Sequence, residues 1–70
     1  MYLGPFLPKA DLVIGDYYKG YCRNARIAKW QGDRFVHLRT KFGHTYAEEI
    51  CHPDDEKHFD VFFPTERIDL

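Results

Sequence analysis

Seventy residues make one small domain, near the lower limit of what folds without a staple, and 44% hydrophobic, 17% aromatic and 30% charged residues are the composition of a globule rather than of a disordered chain. Two cysteines are too few for a disulfide-stapled scaffold, no apolar stretch approaches the roughly 20 residues of a membrane span, and the first residues lack the basic, apolar and small-residue order of a signal peptide. The expectation is a soluble cytoplasmic protein without a membrane segment, with reduced thiols acting as small hydrophobes. Its net charge of −1 favours no class of partner.

Residues 1–11 carry Pro5 and Pro8. Proline fixes its own φ and biases the preceding residue to extended backbone, which predicts an extended arm packed by Leu3, Phe6 and Leu7. The domain proper is expected over 12–70. A short apolar run at 12–14 stops at Gly15-Asp16, after which DYYKGYCRNARIAKW (16–30) reads as strand, with Gly20 as a bulge or bend. RFVHLRTKF (34–42) and TYAEEIC (45–51) are the next two strands. The polar HPDDEKHFD opens with Pro53 and predicts at most a short helical turn near 53–58. DVFFP reads as a last strand stopped by Pro64, and PTERI as a 3₁₀ turn. Short strands with turn signals about every 8–12 residues predict a mainly β fold: a single small five-stranded barrel or strongly bent antiparallel sheet.

The hairpin centred on Gly32-Asp33 is the strongest local signal, because a glycine in first place permits a type II′ loop. Alternation then separates two faces. Ala25, Ile27, Val36 and Leu38, with Lys29 at the rim, read as core. Arg26, Ala28, Trp30, Phe35, His37 and Arg39 read as a contact face, with Arg34 beside it. Arg26 opposite Arg39 requires a carboxylate between them, and Glu48 is the candidate. A second turn at Phe42-Gly43 puts Glu48 opposite His37 and Tyr46 opposite Arg39; a turn at Gly43-His44 puts Glu48 opposite Arg39.

Charge is polarised along the chain. Residues 19–41 hold seven bases and one acid, whereas 48–60 hold six acids and one base. The two segments either cancel across adjacent strands or present a basic and an acidic face to partners. Glu48, Glu49, Asp54, Asp55 and Glu56 form the alternative, acidic surface. Of His44, Cys51, His52 and His58 only the pair His52 and His58 has a recognised metal-ligand spacing, Cys51 and His52 being adjacent and so on opposite faces of a strand, and neither cysteine is signposted as a nucleophile. No catalytic residue, cofactor or metal is expected.

VFFPTERI (61–68) resembles the closing segment of Src-homology (SH3-type) barrels, in which an apolar-Phe-Pro run passes through a 3₁₀ turn into the last strand. The resemblance implies an SH3-like barrel over roughly 12–70, but the aromatic stretch that builds the proline-peptide groove of signalling members is missing. Tudor- and chromo-type barrels share this architecture and hold methylated cations in aromatic cages; Tyr17, Tyr18, Tyr21, Trp30 and Phe35 would be the candidates here.

The expectation is a non-enzymatic binding module that meets a protein partner, or nucleic acid, through Arg26, Trp30, Arg34, Phe35, His37 and Arg39. Aromatic and arginine side chains dominate interface energetics, and bases interleaved with aromatics also suit single-stranded nucleic acid. A second reading, by class-level analogy with phage and mobile-element accessory proteins, is an inhibitor or nucleic-acid mimic working through the acidic 48–60 segment. A third is a structural homo-oligomer joined through complementary basic and acidic faces.

Overall fold

The computed structural model describes residues 4–23, 25–55 and 60–69. It is mainly β: β1 (Tyr17–Tyr21), β2 (Ile27–Trp30), β3 (Phe35–Lys41), β4 (His44–Ile50) and β5 (Phe63–Ile68). They form one antiparallel sheet in the order β4-β3-β2-β1-β5. Helical structure among the described residues is confined to two 3₁₀ turns, Lys9–Asp11 and Pro53–Asp55, the second inside the stretch where a single turn was expected. No helix there is long and apolar enough to cross a membrane.

Two element predictions change. The stretch 16–30 is not one strand but two, paired antiparallel with Tyr17 opposite Lys29 and Lys19 opposite Ile27; the polar residues after Tyr21 interrupt the apolar alternation and the chain doubles back. PTERI is not a 3₁₀ turn but most of β5. Pro64 starts a strand instead of stopping one because β5 is at the sheet edge, where a missing N–H is tolerated, and its carbonyl still accepts the Leu7 N–H at 2.7 Å.

The sheet curls on itself and is joined at one end. Cys51, just after β4, and Val61, just before β5, form a parallel bridge. Cys51 N–H donates to the Asp60 carbonyl at 3.0 Å and Phe62 N–H to the Cys51 carbonyl at 2.9 Å. The bend in β1 is local: the β1–β5 register shifts between Lys19 and Gly20. A methyl group on Gly20 would collide with the Phe63 carbonyl oxygen and approach the Phe62 ring to 2.9 Å, so only glycine lets these backbones come so close.

The curl encloses Tyr18, Ala25, Ala28, Trp30, Phe35, Ile50 and Phe62, with Leu7, Leu12 and Cys22 packed against them. Phe35, fully buried, is the hub. Its ring centroid lies 4.8 Å from those of Trp30 and Phe62 and 6.4 Å from Tyr18 and His52. His52 is buried here too. Its Nε2 bonds the Leu7 carbonyl at 2.9 Å while Nδ1 accepts the Asp54 N–H at 3.1 Å. Because a carbonyl can only accept, Nε2 carries the proton. With the Leu7 N–H bound to Pro64, this histidine fastens the N-terminal arm across the core.

Apart from Ala25, which is core as expected, the two faces of the β2–β3 hairpin are the reverse of the expectation. The predicted pairs Lys29–Val36 and Trp30–Phe35 are present, but the aromatic side points inward and the aliphatic side outward. Area decides it: Trp and Phe each remove far more apolar surface from water than Ile, Val or Leu, and a chain this short cannot leave them outside. Arg26 and Arg39 fall beyond the paired part of β2 and β3, so the face that is core at Phe35 has become rim by Arg39.

Candidate functional site

Seen across the sheet, the outward side chains lie in rows. Ile68, Tyr17, Lys29, Val36 and Glu49 are successive cross-strand neighbours from β5 to β4. The next row runs Glu66, Lys19, Ile27 on β5–β2 and Leu38, Ala47 on β3–β4. Between the rows lies an open groove of about 400 Å³ lined by Tyr17, Ile27, Lys29, Gln31, Val36 and Leu38. Leu38 is 74% exposed and Ile27 42%. The Lys29 ammonium lies over the Tyr17 ring, 5.9 Å from its centre, leaving a cation at the middle of an otherwise apolar strip. Lys19 and Glu66 pair loosely at 3.7 Å on its flank.

Beyond the core, β3 and β4 continue as a two-stranded hairpin closed by Phe42-Gly43, with Lys41 opposite His44. The first of the two expected registers is thus the one adopted. Phe42 sits in the left-handed region, φ 53°, and its ring is 89% exposed, with the Lys41 ammonium 5.6 Å from its centre. A bulky side chain in that region is uncommon and strained.

Of the residues expected to form the contact face, Trp30, Phe35 and His37 are buried, though His37 also borders the outer groove. Arg26 is exposed in the connection before β2, where its carbonyl accepts the Gly20 N–H at 2.9 Å. Arg34 is held by Asp33 and Glu49 at 2.9 and 2.7 Å; those hydrogen bonds, Asp33 foremost, push its pKa up further from an already high value. Arg39 bonds Glu48 at 3.2 Å. Glu48 does bridge the cluster, as expected of it, but between Arg39 and His37, whose Nε2 is 3.0 Å away. Partial burial pushes the Glu48 carboxyl up, yet the hydrogen bonds from His37 and Arg39 and their charge together hold it below the ordinary range.

The acidic surface is likewise mostly paired. Glu49 meets Arg34, Asp55 meets Lys9 at 2.7 Å, and Asp60 meets Arg23 at 3.0 Å; Asp54 is exposed at the 3₁₀ turn, and Glu56 lies outside the described residues. Arg67 joins Asp16 and Asp69, and the Asp16 hydrogen bond raises its pKa. Three of the seven bases of 19–41, Arg23, Arg34 and Arg39, thus meet acids of 48–60.

The other candidate constellations do not assemble. Tyr18, Trp30 and Phe35 are core while Tyr17 and Tyr21 are exposed, so these five do not close around one open cage. Among the described residues no three metal-ligating side chains converge, and His58 lies outside them. Cys22 and Cys51 are free thiols; the Cys51 thiol is buried and donates to the Asp60 carbonyl at 3.6 Å.

Of the residues that line the open groove, Ile27, Val36 and Leu38 read from the sequence as core and Tyr17 as a candidate for an aromatic cage. One signal marks the exposed hairpin tip beyond them. Phe42 occupies a turn position that ordinarily takes Asn, Asp or Gly, and a residue kept against local preference is a reason to look for a role. No protein-family model matches the chain, and neither a curated protein nor a solved structure does.

Proposed function

We propose that this protein is a non-catalytic binding module whose contact surface is the outer face of β1–β3 and whose partner is a protein. The observation that carries the reading is the groove between Tyr17, Ile27, Val36 and Leu38: a contiguous apolar strip left in water on the outer face of the sheet. The Lys29 ammonium in the middle of that strip selects a partner that sets a carboxylate beside an apolar anchor.

Charge supports a protein over nucleic acid. Phosphate binding needs several uncommitted cations on one face, whereas Arg23, Arg34, Arg39 and Arg67 each hold a carboxylate within the fold. Ion pairs also weigh against a nucleic-acid mimic built on the 48–60 segment, since Glu48, Glu49 and Asp60 are the acidic halves of three of these and Asp55 pairs with Lys9. The buried imidazoles and the buried thiol are absorbed by hydrogen bonds that hold the fold, which supports binding over catalysis.

The test is capture of partners by the immobilised protein, comparing wild type, an Ile27→Asp/Leu38→Asp variant and an Asp54→Asn variant, with and without nuclease. Circular dichroism establishes that each variant folds. The expected result is a nuclease-resistant partner lost with the double variant alone. Retention by that variant, release by nuclease, or loss with Asp54→Asn would each overturn the reading.

A further inference from the structure

The two edges of the sheet are treated differently. The edge at β5 is partly covered by the N-terminal arm through the Leu7–Pro64 bond. The edge at β4 pairs only with β3; Asp60 and Phe62 take the backbone groups of Cys51 just beyond its end, and from His44 to Ile50 no backbone hydrogen bond from the described residues reaches its outer side. It runs for seven residues without register shift, proline or lysine, and of the devices that keep an edge from pairing it holds only the charges of Glu48 and Glu49, which Arg39 and Arg34 already offset.

Positive φ at both Phe42 (53°) and Gly43 (80°) identifies a type I′ loop. In such a hairpin the flanking pair Lys41–His44 is hydrogen-bonded, and the pairs alternate from there. Thr45, Ala47 and Glu49 therefore turn their N–H and C=O groups away from β3. The Thr40–Thr45 hydroxyl contact at 3.0 Å fits the closer side-chain spacing of a pair without backbone bonds. The three outward residues are spaced evenly about Ala47.

We infer that β4 pairs with β4 of a second copy, antiparallel about a two-fold axis at Ala47, extending each five-stranded sheet into one continuous sheet. The inference concerns the edge and does not depend on the partner proposed for the outer face. In this register Ala47 faces Ala47 of the second copy, so nothing bulky separates the strands. Thr45 faces Glu49 and Tyr46 faces Glu48, setting a hydroxyl opposite every carboxylate of the strand and no charge opposite its like. His44 faces Ile50. The carboxylates arrive already paired, Glu48 with Arg39 and Glu49 with Arg34, so they do not repel across the axis. The outward groups of Thr45, Ala47 and Glu49 supply about six interchain backbone bonds. A register moved by one residue would turn the two copies' faces to opposite sides.

Sedimentation and amide hydrogen exchange of the full chain, measured from about 1 µM to about 1 mM, test the inference. The expected result is a mass that doubles from 8.4 kDa with concentration, with exchange at Thr45, Ala47 and Glu49 slowed at least about tenfold in the dimer. Ala47→Pro removes an outward N–H that β3 does not use. Ala47→Lys sets two ammonium groups against each other while changing an exposed side chain. Both variants should be folded monomers. A wild type that stays monomeric, a dimer in which those three amides exchange as in the monomer, or an Ala47→Lys variant that dimerises like wild type would overturn the inference.

Discussion

Replacing Phe42 by asparagine should make the protein more stable. Phe42 holds φ 53°, and the left-handed region costs an ordinary L-residue roughly 1–2 kcal/mol, a penalty asparagine largely escapes because its short polar side chain bonds locally there. Little apolar burial is lost, since the ring is 89% exposed. The one contact that disappears is Lys41 over the ring at 5.6 Å, worth about 0.5–1 kcal/mol at an exposed site. The net gain is about 0.5–1 kcal/mol, and a domain of this size moves by roughly 4–8 °C per kcal/mol. Thermal unfolding followed by circular dichroism, at one protein concentration for both chains, should show the rise. An unchanged or lower Tm would refute the reasoning, because the ring would then be supporting the hairpin rather than straining it. If Tm rises while partner capture falls, the strain is retained for contact.

Three further perturbations separate the faces and the joints of the fold. Phe35→Ala should remove about 3–5 kcal/mol from a 70-residue chain whose whole stability is roughly 3.5–10 kcal/mol, leaving little folded protein, while Leu38→Ala should stay within about 0.5 kcal/mol of wild type; urea unfolding showing the opposite order would restore the reversed hairpin. Gly20→Ala forces a methyl group into the Phe63 carbonyl and should lower stability by about 1–3 kcal/mol or more, read as a fall in Tm. Glu48 is held below its ordinary range in the folded state, so its contribution is complete above the unfolded value of about 4.3 and is lost as pH falls through the folded value. Urea titrations of wild type and Glu48→Gln should accordingly differ at neutral pH and converge in acid; a gap that widened on acidification would contradict the Arg39–Glu48–His37 arrangement.

Much of this architecture is legible residue by residue. Gly32-Asp33 declares one turn and fixes the register of β2 against β3, whereas the signal around Gly43 leaves two registers for β4, of which the structure adopts the one that sets Glu48 against His37. The bend at Gly20 follows from glycine in an aromatic strand. Pro53 marks the short 3₁₀ turn. What local pattern does not carry is which way a hairpin faces. Alternation sorted Ile27, Val36 and Leu38 from Trp30, Phe35 and His37 correctly, but periodicity is symmetric between the two sides, and arginines on the aromatic side made it read as surface. Only closure of the sheet breaks that symmetry. The Cys51–Val61 bridge brings Phe62 against Phe35, and the side that receives Phe62 becomes core.

Length along the strand then resolves the arginines. Where β2 pairs with β3, at Lys29–Val36 and Trp30–Phe35, the inner face is covered from beyond by His52 and Phe62. Past that pairing β3 has only β4 beside it, and residues 40–47 are exposed. One face of β3 therefore changes character along its length: core at Phe35, a hydrogen-bonded boundary at His37–Glu48, and solvated cation at Arg39 and Lys41. Aromatic and basic residues sharing a single alternation phase are the sequence trace of a strand that leaves the core partway along. The same departure is what leaves Leu38, Phe42 and the β4 edge open to a partner.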